Sequence, residues 1–358
     1  ITDPTKQYDV NGIDEAAFKN EPIAEISFFT PASGKPGIAT IGAGAFEGTN
    51  ITTLNLVNTK ITTLNNLFGT LIGATPAEDK TNAKLQSIAL PATLITIEAS
   101  ALVNCTALTT IDFSKATVLG TLSSAAFAGT AVKALDFTGN TVLTTLPNDL
   151  LNDGTRYTSN DKLTTVKLVN TVTSLGTTFK DCKALSSINT AKVKTFANNA
   201  FENDAALTSI DLSAATSIGT SAFASTGLTA VTFPATGLTA VPNKAFWQCS
   251  DLKTVTFTMK NNASAVASIG QEAFAYTGLE SFTIPARIVA MNIGAKAFAG
   301  NDDLKEFTYA PNNGTADVAY DNTNIVLTDD IFSRCSDITF YTTETFATDF
   351  YTTFTTKD

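Results

Sequence analysis

Histidine is absent from this chain of 358 residues, and that absence removes much of ordinary enzyme chemistry. Ser-His-Asp and Cys-His catalysis both need an imidazole as base. The usual zinc sites need histidine or closely paired cysteines, and no C-x-x-C occurs. Neither G-x-x-x-x-G-K-[ST] nor G-x-G-x-x-G is present, so no phosphate-cradling loop is predicted. Charge is scarce as well, at 16% of residues, below the usual quarter. The balance is acidic, with a net charge of -10. Such a surface lacks the clustered Lys and Arg that a nucleic-acid backbone requires. No apolar run approaches the roughly 18 residues of a membrane-spanning helix. These absences predict no catalytic residue, no cofactor, no metal, no nucleic-acid partner and no membrane span.

What is present repeats. Hydrophobic residues reach 44%, too many for a disordered chain. They recur in a fixed pattern built around Ala-Phe pairs. Clear anchors are Phe18, Phe46, Phe127, Phe201, Phe223, Phe246, Phe274 and Phe298. Weaker copies fall at Phe68, Leu102, Leu150, Phe179 and Phe332, making thirteen, most often 22 to 25 residues apart. That spacing falls within the leucine-rich-repeat range of about 20–29 residues.

After most anchors comes L-x-x-I-x-F, as in "LTTIDF" (108–113), "LTSIDL" (207–212) and "LKTVTF" (252–257). Its last three positions alternate in, out, in, which predicts a half-buried strand. A second short element, such as "ATSIG" or "VASIG", leads into the next Ala-Phe. One such unit cannot bury its Leu, Ile and Phe alone. Stacking each unit on the next does so. The predicted fold is therefore mainly β, with short turns or helical corners. It is a right-handed leucine-rich-repeat solenoid of about thirteen coils, one domain over 1–358. Residues 1–25 are expected to form an N-terminal cap and 341–358 a C-terminal cap.

The units "IGAGAFEGT", "IGTSAFAST", "IGQEAFAYT" and "IGAKAFAGN", with "LPATLITIEASALVNC", resemble the BspA-like leucine-rich repeats of bacterial cell-surface proteins. The resemblance covers roughly residues 13–340. It implies a secreted or surface-exposed, non-catalytic binding and adhesion module, outer-membrane lipoproteins included. The partners it implies are proteins, host extracellular-matrix proteins among them.

Four cysteines, Cys105, Cys182, Cys249 and Cys335, each follow an anchor by three residues, on every third turn. Three turns separate them by about 14 Å, whereas disulfide-linked Cα atoms lie within roughly 7 Å. They are expected to remain thiols that fill small buried turn positions. Stretches interrupting the rhythm at 69–84, 152–162, 258–268 and 310–324 read as surface loops.

Two clusters are candidates for binding. The outward strand column contains Asp112, Asp136, Lys167 and Asp211. Asp112 and Asp136 fall on neighbouring strands, where like charges repel unless compensated. One reading is a cation or polar-ligand spot, or, with Lys167, a carboxylate pair acting on polysaccharide. The plainer reading is a solvated sheet face with Lys167 compensating Asp136. Trp247, the only tryptophan, follows Phe246, and Tyr276 lies two residues past Phe274 on the next turn. Two aromatics where small residues are usual suggest a platform for a glycan or a protein hot spot. The plainer reading is packing beneath the 258–268 insertion. Protein recognition by an extended repeat surface is the leading functional expectation, with glycan capture as the alternative.

Overall fold

A computed structural model describes residues 10–31, 37–69, 84–154, 157–158, 160–258, 266–284, 291–309, 325–327, 330–336 and 338–341. The expected loops at 69–84, 258–268 and 310–324, and the expected C-terminal cap, fall wholly or mostly outside them. The chain divides into two compact units. The first comprises Ile1–Thr173 and Thr177–Asn189, the second Ser174–Gly176 and Thr190–Asp358.

Each unit is a stack of turns carrying two columns of short strands, and every pairing is parallel. In the first unit, Thr53–Asn55, Ser87–Ala89 and Thr110–Asp112 form one sheet of the first column. Ala134–Asp136, Thr165–Lys167 and Ser187–Ile188 form another. Its second column holds Thr63–Leu64, Thr96–Ile97 and Thr121–Leu122. In the second unit the first column holds Ala230–Phe233 against Thr254–Phe257, and then Ser281–Ile284, Glu306–Tyr309 and Thr339–Tyr341. Its second column runs through Ala240–Val241, Ser268–Ile269, Met291–Ile293 and Ile325–Leu327. The registers pair equivalent repeat positions, such as Val231 with Val255 and Phe233 with Phe257. A β-solenoid follows because each turn offers its backbone groups to the next.

The corners carry the organisation. Anchor Phe N–H groups donate to the carbonyl just before the next anchor: Phe201 to Ala222, Phe223 to Ala245, Phe246 to Ala273 and Phe274 to Ala297. At most corners the residues two before and two after the anchor take positive φ, as at Ser221 (55°) and Ser225 (56°), or Glu272 (54°) and Tyr276 (58°). Two left-handed residues turn the chain sharply enough to aim three alternate N–H groups along the stack. The corners are thus left-handed turns, and the helical corners that the repeat pattern left open are not found: no helix occurs among the described residues.

The "IG" of the motif has a steric cause. A Cβ on Gly270 would meet the Asn243 backbone nitrogen at 2.5 Å, and one on Gly294 the Gln271 nitrogen at 2.5 Å. Only glycine lets successive turns approach so closely there.

The anchors stack as rings. Phe201, Phe223, Phe246, Phe274, Phe298 and Phe332 form one column, with centroids 5.8, 5.4, 5.3, 5.7 and 5.7 Å apart. Phe223 and its neighbours Phe201, Phe246, Phe274 and Phe298 have no measurable exposure. In the first unit Phe18 stacks on Phe46 at 5.9 Å, and Phe46 meets Phe68 at 6.1 Å. The turn containing Phe18 has the same corner, within the stretch expected as an N-terminal cap.

Two expectations need correction. Phe127 N–H donates to Leu150 O, and Leu150 N–H donates to Pro147 O. By the register of every other corner this puts Leu150 in the Ala slot and Leu151 in the anchor slot. Both are buried leucines, so the pattern alone misplaced them by one. The predicted strand in "LTSIDL" is not laddered. The Thr190 hydroxyl donates to Asp211 O at 2.7 Å and accepts from Asp211 N–H at 3.1 Å, occupying the backbone groups a ladder would use.

All four cysteines are thiols, with Cys105, Cys182 and Cys249 buried. Equivalent threonines bond their own anchor's carbonyl, as Thr226 Oγ1 to Phe223 O at 2.9 Å. Cys249 Sγ instead donates to the previous anchor's carbonyl, Phe223 O, at 3.0 Å. Burial pushes the Cys105 thiol up to about 12 and that of Cys249 up to about 11.

Phe223→Ala is expected to lower unfolding free energy by about 3–5 kcal/mol, the range for emptying a core Phe site. An unchanged urea midpoint would contradict the stacked column. Four thiols should titrate with Ellman's reagent after denaturation without reductant, and Cys105, Cys182 and Cys249 should not react in the native state. The raised values of Cys105 and Cys249 carry a second consequence. The stability they contribute is complete below the ordinary thiol value of 9.0. It is lost as pH rises through the folded values, because the unfolded thiols ionise first. Midpoints that rise above pH 9 would contradict this.

Candidate functional site

The outward positions of the first-column strands form exposed rows. Thr53, Ser87 and Thr110 pair in sequence, with Ser87 Oγ donating to Thr53 Oγ1 at 3.2 Å. In the second unit Thr232 pairs with Thr256 and Thr283 with Thr308. The inward neighbours Val231, Phe233, Phe282 and Ile284 are buried. The period-two alternation that makes the strands therefore also makes the exposed face.

The acidic members of these rows have a local duty. Asp112 Oδ1 accepts the Ser114 N–H at 2.8 Å, Asp136 Oδ1 the Thr138 N–H at 3.1 Å, and Asp211 Oδ1 the Ser213 N–H at 2.8 Å. Asn55 Oδ1 does the same for the Val57 N–H at 3.0 Å. Each closes the turn that follows its strand, the Asx geometry for which Asp and Asn are suited. An amide replacing a carboxylate at one of these positions shows that charge is not what the turn needs.

Lys167 stands beside Asp136, with Nζ 2.8 Å from Oδ2, as the compensating-charge reading requires. Slight burial raises the Asp136 carboxyl, but the bonds from Lys167 and Thr138 outweigh it and hold the group below the ordinary carboxylate value. The pair is exposed on both sides, so its contribution to stability is under about 1 kcal/mol. Asp112 and Asp136 occupy equivalent places on adjacent turns, since Lys133 N–H donates to Thr109 O as Thr164 N–H does to Lys133 O. Each carboxylate is nonetheless occupied by its own turn. Among the described residues no group of three His, Cys, Asp or Glu side chains could hold a metal ion.

Trp247 and Tyr276 do come together. Their ring centroids lie 6.5 Å apart at 90°. Lys244 Nζ sits 5.5 Å from the Trp247 ring centroid and 3.5 Å from Glu272 Oε2. Tyr276 rests on Gly300 of the next turn, where a Cβ would come within 2.5 Å of its ring. Its hydroxyl lies 3.5 Å from Arg334 Nη1. The part played by Lys244, Gly300 and Arg334 was not legible from the sequence, because it depends on which column each residue occupies after stacking.

Asp112→Asn should change stability by less than about 0.5 kcal/mol, and Asp112→Ala should cost about 0.5–1.5 kcal/mol, one net hydrogen bond. Urea titration of the two variants checks this. Loss of stability in the asparagine variant equal to that in the alanine variant would mean that the charge, not the turn, is what Asp112 supplies.

The model of the BspA type Leucine rich repeat region matches residues 1–71, 80–161, 154–266 and 216–352, in six copies. No curated protein matches the chain. Among solved structures, a leucine-rich repeat protein from Bacteroides ovatus is 19% identical, covering 87% of this chain and 92% of its own, with a TM-score of 0.43. A leucine-rich cell surface protein from Faecalibacterium prausnitzii is 17% identical, covering 94% and 89%, with a TM-score of 0.34. The pneumococcal vaccine antigen PcpA is 15% identical, covering 96% and 74%, with a TM-score of 0.37. No helix among the described residues is long and apolar enough to cross a membrane. With in-phase corners, parallel columns and a family model matched along most of its length, the chain belongs to the BspA-type leucine-rich-repeat family.

Proposed function

We propose that this protein is a non-catalytic recognition module of the bacterial cell surface. It binds other proteins, host extracellular-matrix proteins among them, across the outward rows of its strands. The observation that supports this reading is the separation of duties along each strand. Buried positions carry the stacking residues, and exposed positions carry small hydroxyls and a few turn-closing Asp and Asn side chains. Outward residues can therefore be exchanged without disturbing the core, which suits a repeat surface to diversification for binding. The carboxylates at Asp112, Asp136 and Asp211 each close a turn, and this arrangement supports recognition rather than hydrolysis.

Surface plasmon resonance against a panel of purified extracellular-matrix proteins tests the reading. At least one should bind saturably. The triple variant Thr232→Lys, Thr256→Lys, Thr283→Lys should weaken that binding at least tenfold with its thermal midpoint unchanged. Binding that survives the triple variant, or a panel with no binder, would overturn the assignment.

A further inference from the structure

One corner of the second unit departs from the economy of the others. Tyr276 holds a left-handed backbone at φ 58°, where a bulky side chain is strained. Equivalent slots elsewhere carry Asn203, Ser225, Gln248, Gly300 and Arg334, and among the described residues Tyr276 is the one aromatic. Burial does not compensate, because Tyr276 remains 39% exposed. On the turn before, the Trp247 indole N–H is covered but meets no acceptor, an arrangement folded chains avoid. Two turns after Tyr276, the exposed guanidinium of Arg334 reaches only the tyrosine hydroxyl and has no carboxylate partner among the described residues. An aromatic ring in a left-handed slot, an unanswered donor and a guanidinium with no carboxylate partner among the described residues thus coincide on one patch. None of them serves stability, and such departures mark functional sites.

We infer that Trp247, Tyr276 and Arg334 form a binding site for an acidic sugar, a pyranose bearing a carboxylate. The exposed Tyr276 ring, with the half-buried Trp247 set edge-on beside it, offers an aromatic surface to the C–H face of a pyranose. A guanidinium fork matches a carboxylate in two parallel hydrogen bonds. The Tyr276 hydroxyl and Arg334 Nη1 lie 3.5 Å apart, so a sugar ring resting on the tyrosine can present its carboxylate to the guanidinium. Protein hot spots, by contrast, favour fully desolvated pockets, and Tyr276 stands open. Lys244 is already engaged by Glu272 and the Trp247 ring, leaving Arg334 to recognise the anion. This site is separate from the strand face proposed for protein binding, so either can fail alone.

The only tryptophan of the chain lies in the site, so intrinsic fluorescence reports on it directly. Titrations of the full chain with sialyllactose and with hyaluronan tetrasaccharide distinguish a sialic acid from a uronic acid. At least one should shift Trp247 emission saturably, with lactose at least tenfold weaker. Arg334→Gln should reduce affinity at least tenfold. Tyr276→Asn, which suits the left-handed slot, should abolish binding while leaving the thermal midpoint equal or higher. Failure of both sugars to bind at millimolar concentration would overturn the inference. So would unchanged affinity in Tyr276→Asn, or equal, Arg334-dependent binding of hexaglutamate, which would make the site one for acidic peptides.

Discussion

The structure depends on one contact made repeatedly: an anchor ring lying on the ring of the next turn while its N–H bonds the carbonyl before that ring. The apolar stack and the corner hydrogen bonds reinforce each other. A phenylalanine buries a large area, and its aligned neighbours return that area at every step. The left-handed residues flanking most anchors are unfavourable in isolation, and they persist because three hydrogen bonds and a buried ring surround them. Small residues are favoured at the Ala and Gly slots by the same close approach of turns, although Leu150 and Ile331 also fill the Ala slot.

This division explains why the surface is open to change. The corner and the inward strand positions hold each unit together. The outward positions need only β-compatible side chains, and Thr and Ser meet that need. Where Asp or Asn ends a strand, its oxygen closes the next turn. Those residues belong to the scaffold although they stand in solvent. A search of the exposed face for chemistry would single them out for their charge and miss the hydrogen bond that places them there.

Much of the architecture was legible from spacing alone. In-phase Ala-Phe pairs predicted the ring column. The three-residue offset of the cysteines predicted thiols at the small turn slot, and Cys249 now bonds an anchor carbonyl. Other features were hidden because they are consequences of geometry. Leu150 and Leu151 are chemically equal, so only the hydrogen-bond register shows which is the anchor. Thr190 looks like any other threonine, yet it takes the backbone of Asp211 out of the sheet. The Trp247–Tyr276 contact was anticipated from their unusual slots. The left-handed backbone at Tyr276 and the Arg334 guanidinium beside its hydroxyl emerge only once turns are stacked.

The most direct test of the corner is amide hydrogen exchange resolved by residue. The account predicts slow exchange at Phe201, Phe223, Phe246, Phe274 and Phe298, recurring with the repeat. Each of these N–H groups bonds the following turn beneath a buried ring. The exposed Asp251 amide between corners should exchange much faster. Exchange at the anchors as rapid as at Asp251 would show that successive turns are not joined there, and the stacked corner would have to be abandoned.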